Sequence, residues 1–214
     1  MVSSNANALG VIFANSYDNL VPELVAERTM ASIPFAGRYR MIDFVLSNMA
    51  NAGVDNVSVI VRKNYHSLMD HLGAGREWDL TRKRGGLNIV PPFAERSIKL
   101  YSGRVDALAS VLTWLMDQKE RYVILSDSNI AMNFDFNKLI EAHIKSGADL
   151  TMVCTKKQKD SPFTTYVELN RKKEAVDIRV GDTNEGKCKH AALGIYVMSR
   201  QYLIHMLSDC VTHN

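Results

Sequence analysis

RYVILSDSNIAMNFDF, residues 121–136, is the stretch that decides the fold of this chain. Its apolar run from Tyr122 to Leu125 stops abruptly at small polar residues. A parallel strand delivers side chains in this way to the crevice at its carboxyl end, where open α/β sheets bind ligands. We therefore expect a buried strand over 121–126 and a functional crevice beside Ser128.

Three more short apolar runs have the same pattern, and segments with the 3.6-residue periodicity of helices lie between the runs. The predicted strands are 8–15, 56–61, 121–126 and 149–154. The predicted helices are 41–53, 65–75, 105–120 and 134–148. Strands that alternate with helices of this length favour a parallel sheet with right-handed crossovers.

The pattern changes after Thr164. Residues 164–180 form two extended runs around a charged turn, which predicts a hairpin before a last strand at 191–198. The hairpin makes the predicted sheet mixed. An amphipathic helix over 202–214 ends the chain, and we expect the 214 residues to be the N-terminal piece of a longer protein.

Charge and composition exclude several classes of protein. The 26 basic and 23 acidic residues give a net charge of +3 and are scattered, so they predict neither a nucleic-acid nor a membrane surface. No signal peptide or spanning segment is evident, which predicts a cytoplasmic protein. The three cysteines, Cys154, Cys188 and Cys210, form no CxxC pair and are expected to be reduced.

The loop after the first predicted strand, residues 15–22, contains no glycine. A glycine-rich turn is what lets backbone N–H groups approach phosphate oxygens closely. Its absence counts against a dinucleotide-binding dehydrogenase fragment, which is one alternative for an alternating α/β chain. The acidic Asp18, Glu23 and Glu27 are expected to repel a triphosphate at this loop.

The segment IPFAGRYRMIDFVLSNMANAGVDNVSVIV, residues 33–61, resembles the PFGGKYRIIDFALSN signature of the ADP-glucose pyrophosphorylase (glucose-1-phosphate adenylyltransferase) family. Further similar segments follow in the family's order and spacing, at 63–75, 76–93, 100–112 and 193–203. The resemblance covers essentially all of the chain. It implies a glycosyltransferase-A-like, Rossmann-like nucleotidyltransferase domain over 1–214, with a mostly parallel mixed sheet flanked by helices. In the family a left-handed β-helix domain follows, which this chain lacks.

The resemblance also implies that the catalytic positions are degenerate. Leu20 falls where the family's GGRGTRL loop has its catalytic arginine, and Glu27 and Met30 fall where two lysines follow. Ser128 falls on the metal-binding aspartate of the AGDH turn. Nucleotidyl transfer needs Mg²⁺ on carboxylates and cations on phosphate oxygens, so these replacements predict a chain without catalytic competence.

Other positions match the family in part. The YRGTADA segment keeps its tyrosine, glycine and aspartate but departs at Arg104. An aspartate stands at the glycine of the AGDH turn, and the MGIYVF segment keeps its glycine. The candidates for a residual nucleotide or sugar pocket are Tyr101, Gly103, Asp106, Asp127 and Gly194.

The resemblance therefore implies a catalytically deficient regulatory subunit that acts in glycogen biosynthesis. Its expected partner is a catalytic glucose-1-phosphate adenylyltransferase subunit in a hetero-oligomer, with Mg²⁺ bound only in that partner and an anionic metabolite as effector. The alternative is an active sugar-phosphate nucleotidyltransferase with an atypical site around Asp106 and Asp127. Metal ligation by Asp127 instead of Ser128 would require a bulge, because neighbouring strand residues point to opposite faces.

Overall fold

The structure is a computed structural model that describes residues 7–82, 85–91, 103–156, 162–184 and 188–212. The strands are β1 (Ala8–Phe13), β2 (Pro34–Phe35), β3 (Tyr39–Arg40), β4 (Asn56–Ile60), β5 (Gly86–Val90), β6 (Tyr122–Asp127), β7 (Leu150–Lys156), β8 (Thr165–Leu169), β9 (Ala175–Val180) and β10 (His190–Ser199). The helices are α1 (Met41–Asn51), α2 (His66–Leu72), α3 (Arg104–Ala109), α4 (Leu112–Asp117), α5 (Phe136–Ser146) and α6 (Arg200–Thr212). The chain divides into two compact units, one formed by Met1–Thr151 with Val197–Asn214 and the other by Met152–Tyr196.

The first unit is built on four parallel strands in the order β5, β4, β1 and β6. Strand β1 is completely buried, as expected for a strand with a neighbour on each side and helices above and below. Its last residue, Phe13, pairs with Ile60 of β4 and Asp127 of β6. The carboxyl ends of these three strands therefore meet at one edge, which is where the sequence places the crevice.

Helix α1 packs on this sheet through an apolar stripe of buried residues at Ile42, Val45, Leu46 and Met49. Gly10 of β1 allows the close approach, because a Cβ atom added there would lie 2.6 Å from the Met49 sulfur. Burial of this stripe contributes roughly 1.5–3 kcal/mol for each large apolar side chain.

A three-residue loop, Ala36 to Arg38, precedes α1 and joins β2 to β3. Ala36 and Gly37 in this loop have positive φ values of 51° and 74°, a conformation that favours glycine. The Phe35 ring packs edge-on against Phe44 of α1, with the ring centroids 5.1 Å apart. The hairpin is thereby fastened to the helix that follows it.

The predicted helix over 105–120 is wrong in one respect, because the structure has two short helices there. The Ser110 hydroxyl donates a hydrogen bond to the Ala107 carbonyl oxygen at 2.7 Å, and α3 ends at this point. Serine favours such local bonds to the backbone, which compete with helix continuation. The break places Arg104 at the start of a separate six-residue helix.

The other predicted helices and strands agree with the structure to within a few residues. Gly53, Gly73 and Gly147 follow α1, α2 and α5 with positive φ, which is the conformation that ends a helix. The predicted C-terminal helix begins earlier, at Arg200, whose guanidinium donates to the carbonyl oxygens of Leu115 and Glu120.

The second unit contains the predicted hairpin. Strands β8 and β9 pair antiparallel, with Val167 opposite Ile178, and β10 pairs antiparallel with β8. The turn is closed by a hydrogen bond from the Asn170 N–H to the Glu174 carbonyl oxygen at 2.9 Å. The prediction of a mixed, mostly parallel sheet flanked by helices is thus confirmed.

Within the described ranges, no helix combines the length and the apolar character needed to cross a lipid bilayer.

Candidate functional site

The candidate site is a cleft of about 230 Å³ at the carboxyl ends of β1 and β4. Its walls come from these strands, from the loop after β1 and from the start of α3. The lining residues include Phe13, Asn15, Ser16, Tyr17, Ile60, Arg62, Gly103 and Arg104. The walls are mostly apolar and aromatic, and two arginines face the space, which is a composition suited to a ligand with a ring and an anionic group.

The loop after β1 is tied down by two polar side chains. The buried Asp18 carboxylate accepts a hydrogen bond from the Met30 N–H at 3.0 Å and another from the Asn15 amide at 2.8 Å. Asn15 in turn accepts from the Arg62 N–H at 2.7 Å. The Asp18 carboxylate is therefore turned inward and hydrogen-bonded within the loop, and the repulsion of a triphosphate by the acidic residues here stays a prediction.

Asp127, the last residue of β6, has a side chain with no exposed surface and both carboxylate oxygens engaged. The Ser16 hydroxyl donates to one oxygen at 2.6 Å, and the Arg104 guanidinium forms an ion pair with the other. Arg104 also lies over the rings of Phe13 and Tyr17, at 5.7 and 6.0 Å from their centroids. The pair joins the end of β6 to the start of α3 beneath the cleft.

Two opposing influences act on this carboxyl group. Burial raises the pKa of Asp127 above its ordinary value, because the charged form loses its hydration. The charge of Arg104 and the hydrogen bond from Ser16 lower the pKa and offset this only in part. The charge of Arg104 thus favours the ionised form of Asp127 against the effect of burial.

Ser128 makes a different contact. Its hydroxyl donates to the Phe13 carbonyl oxygen at 3.1 Å, so the side chain fastens the end of β6 to the end of β1. It is buried, with 1% of its surface exposed. The acidic group beside the loop is therefore Asp127, although the family pattern has its metal-binding carboxylate at the next position.

The described residues do not fit a divalent metal ion at this edge. Magnesium prefers carboxylate oxygens with room for several waters. Here one Asp127 oxygen is ion-paired to Arg104, the other accepts from Ser16, and Ser128 has no carboxylate. Across the described ranges, no three His, Cys, Asp or Glu side chains are grouped so that they could hold a metal.

The three other degenerate positions supply no cation to the cleft. Leu20 is 44% exposed in a short 3₁₀ helix, Glu27 is exposed, and Met30 is buried. An exposed leucine, a carboxylate and a buried thioether can neither balance the charge of a phosphate nor donate hydrogen bonds to it.

The predicted pocket residues are only partly brought together. Gly103 lines the cleft, with Asp127 beneath it. Asp106 is exposed on α3, about 200° around the helix from Arg104, so it points elsewhere. Gly194 belongs to β10 in the second unit, where its φ is 70°, and Tyr101 lies outside the described residues.

Sequence reasoning missed two residues of this site, Arg104 and Ser16. Arg104 was noted only as a departure from the family pattern. A signal was present, because Asp127 is also a departure from that pattern and carries the opposite charge. Two residues of opposite charge that both depart from the family pattern, each beside a retained motif, are candidates for one ion pair.

Comparison with protein-family models places residues 20–210 in the nucleotidyl transferase family. The matched region contains α3, β6 and most of the cleft, including Asp127 and Arg104.

Curated relatives bear two different names. The glycogen biosynthesis protein GlgD of Geobacillus stearothermophilus is 40% identical over 154 residues, which is 70% of this chain and 44% of that protein. GlgD of Bacillus subtilis is 39% identical over 150 residues, 70% of this chain and 43% of that one. The glucose-1-phosphate adenylyltransferase of Thermotoga neapolitana is 32% identical over 208 residues, 95% of this chain and 48% of the enzyme. The chain spans less than half the length of these relatives.

Proposed function

The chain belongs to the nucleotidyl transferase family, and from this membership we propose that it is part of a GlgD-type, catalytically deficient regulatory subunit of glucose-1-phosphate adenylyltransferase. Its role is in glycogen biosynthesis, where the partner subunit converts ATP and glucose 1-phosphate to ADP-glucose and pyrophosphate. Relatives of both names support this pathway, since one is a glycogen biosynthesis protein and the other is the adenylyltransferase.

The observation that carries the proposal is that Asp127 is buried and ion-paired to Arg104. Transfer of a nucleotidyl group requires a metal ion that bridges carboxylate and phosphate oxygens. The Asp127 carboxylate beneath the cleft is fully buried and ion-paired to Arg104. The hydroxyl of the neighbouring Ser128 donates a hydrogen bond to the Phe13 carbonyl oxygen. These contacts support the proposal, because they occupy the polar side chains of Asp127 and Ser128 that could otherwise bind a metal ion.

The missing cations add to this deficit. A single arginine that stabilises the transition state of phosphoryl transfer is worth about 10³–10⁵ in rate. Leu20 and Met30 provide no positive charge, and Glu27 provides a negative one. With metal and cations lost together, the expected turnover of the protein alone is below detection.

The test of inactivity measures pyrophosphate exchange with ATP, Mg²⁺ and glucose 1-phosphate on the protein as the host produces it. We expect no exchange above a blank. Turnover that is abolished by Asp127→Asn and unaffected by the exposed control Asp70→Asn would overturn the proposal. That result would support the alternative of an active enzyme with an atypical site around Asp106 and Asp127.

The test of partnership mixes the protein with the catalytic subunit from the same host. We expect a hetero-oligomer by size-exclusion chromatography and a shift of about 5–150-fold in an affinity of the enzyme, the size of a typical coupling free energy. The affinity for an anionic metabolite effector is the first to examine. Separate elution at micromolar concentration, with kinetics unchanged by an excess of this protein, would contradict a regulatory role.

A further inference from the structure

We infer that Arg104 is the resident cation of the cleft, where its guanidinium takes the place of a divalent metal ion at Asp127 and excludes metal from the carboxylate. The inference deepens the proposed function and rests on it, because exclusion of a metal ion from the cleft is compatible only with a subunit whose partner catalyses the reaction. Arg104 is a positive charge that the family pattern does not have at this position. The proposed catalytic deficiency, in contrast, concerns charges that are missing.

The first support is the geometry of the pair. The Asp127 side chain has no exposed surface, and that of Arg104 is 38% exposed. The guanidinium therefore lies between the carboxylate and the solvent of the cleft. A metal ion that approached from the cleft would have to displace it.

The second support is how firmly the guanidinium is held. The rings of Phe13 and Tyr17 flank it at 5.7 and 6.0 Å, which are distances at which an aromatic face attracts a cation. The Ser16 hydroxyl occupies the other carboxylate oxygen at 2.6 Å. Phe13, Ser16 and Tyr17 belong to one stretch of chain, so the end of β1 and its loop act as a cradle for the pair.

The third support is electrostatic. A doubly charged ion that approached Asp127 from the cleft would lie within a few ångströms of the guanidinium, and two like charges at that distance in a partly buried site repel strongly. Without the arginine, the same carboxylate and the Ser16 hydroxyl become oxygen ligands that face an open cleft. Removal of one residue should therefore convert exclusion into binding.

The experiment is a Mn²⁺ titration followed by electron paramagnetic resonance at about pH 8, where an ordinary carboxyl group is ionised. It compares the wild-type protein with Asp127→Asn, with Arg104→Met, with Arg104→Met/Asp127→Asn, and with the matched control Arg62→Met. Arg62 lines the same cleft, so its loss removes an equal charge from the same space. Because Arg104→Met leaves a buried carboxylate without its ion pair, Arg104→Gln serves as a second variant that keeps an amide donor for Asp127.

We expect the wild-type protein to bind Mn²⁺ no better than Asp127→Asn does. Arg104→Met and Arg104→Gln should bind Mn²⁺ about tenfold or more tightly than the wild-type protein. A tenfold change in affinity is a small part of the repulsion that loss of the guanidinium removes. The gain should vanish in the double variant and be absent in Arg62→Met. A wild-type Mn²⁺ site that depends on Asp127 would overturn the inference. So would the lack of any gain in both Arg104 variants, or an equal gain in Arg62→Met.

Failure of the inference can be told from failure of the proposed function. Pyrophosphate exchange by the wild-type protein overturns the function whatever the Mn²⁺ titration shows. No exchange, together with no gain of Mn²⁺ binding in the Arg104 variants, overturns only the role assigned to Arg104.

Discussion

The hairpin–helix segment, residues 34–51, and the cleft at the carboxyl ends of β1 and β4 lie in the same unit but differ in how they relate to the family. The hairpin–helix segment keeps the family signature almost unchanged and is held by apolar packing of Leu46 and its neighbours on the sheet. The cleft departs from the family pattern at several positions and has a buried ion pair between Asp127 and Arg104 beside it. Packing constrains nearly every position of a segment, whereas chemistry depends on a few groups that can be replaced without loss of the fold.

Hydrogen bonds reinforce the hairpin–helix segment in a way that also differs from the cleft. The Arg40 N–H donates to the Asp43 carboxylate at 2.9 Å, and the other oxygen of Asp43 contacts the His71 ring at 2.6 Å. The Arg40 guanidinium donates to the Ser67 hydroxyl. These bonds join α1 to α2, and none of them is made to the cleft.

The largest expected effect is that of Leu46→Ala in α1. Leu46 has no exposed surface, so its truncation should leave a cavity and lower the free energy of unfolding by about 2–5 kcal/mol. The matched change at the cleft loop, Leu20→Ala, should cost within about 0.5 kcal/mol because that side chain is 44% exposed. Urea denaturation measures both, and equal costs would contradict the difference drawn between the two regions.

The next effect is that of Arg104→Met, which should cost about 1–3 kcal/mol by leaving a buried carboxylate without its cation. The lower part of this range is expected, because the guanidinium is partly exposed.

The cost of Arg104→Met should also depend on pH. Burial already raises the pKa of Asp127, and loss of Arg104 removes an influence that lowers it. An acid whose pKa is raised in the folded state destabilises the fold as pH rises from its unfolded pKa through its folded pKa. The cost should therefore be greater at about pH 8 than at about pH 5, and this dependence should disappear in Arg104→Met/Asp127→Asn. A cost independent of pH would mean that Arg104 does not lower the pKa of Asp127 over this range.

The smallest expected effect is a gain of stability at the hairpin. Ala36 has a φ of 51°, a conformation that is strained for any residue with a Cβ atom. Ala36→Gly should raise the free energy of unfolding by about 0.5–1 kcal/mol. Gly37→Ala, at a φ of 74°, is the reciprocal control and should lower it. A loss of stability on Ala36→Gly would show that the turn is not under strain.

Much of the fold could be predicted because local patterns carry it. The buried strands and the helices with apolar stripes appear within a few residues of their predicted bounds, and Gly53, Gly73 and Gly147 end their helices as expected. The break between α3 and α4 was missed, since it depends on where the Ser110 hydroxyl finds its acceptor. Periodicity across 105–120 gives no sign of that choice.

For the candidate site, the sequence predicted only which residues of the family pattern are replaced. Leu20, Glu27, Met30 and Ser128 are visible as residue types that cannot do the family's chemistry, and no geometry is needed to say so. The catalytic deficiency and the hetero-oligomer remain predictions, to be decided by the assays above, and the cytoplasmic location also remains a prediction.

The order of most strands and helices and the family resemblance depend on side chains close together in the chain or at fixed motif positions, so the sequence alone indicated them. The tertiary structure alone decided that Asp127 meets Arg104 and Ser16, and that Asp18 turns inward. Asp127 and Ser16 are 111 positions apart. Such contacts between residues far apart in the chain form when the parallel strands bring their carboxyl ends together. The charge of the cleft depends on which charged side chains these contacts bring there.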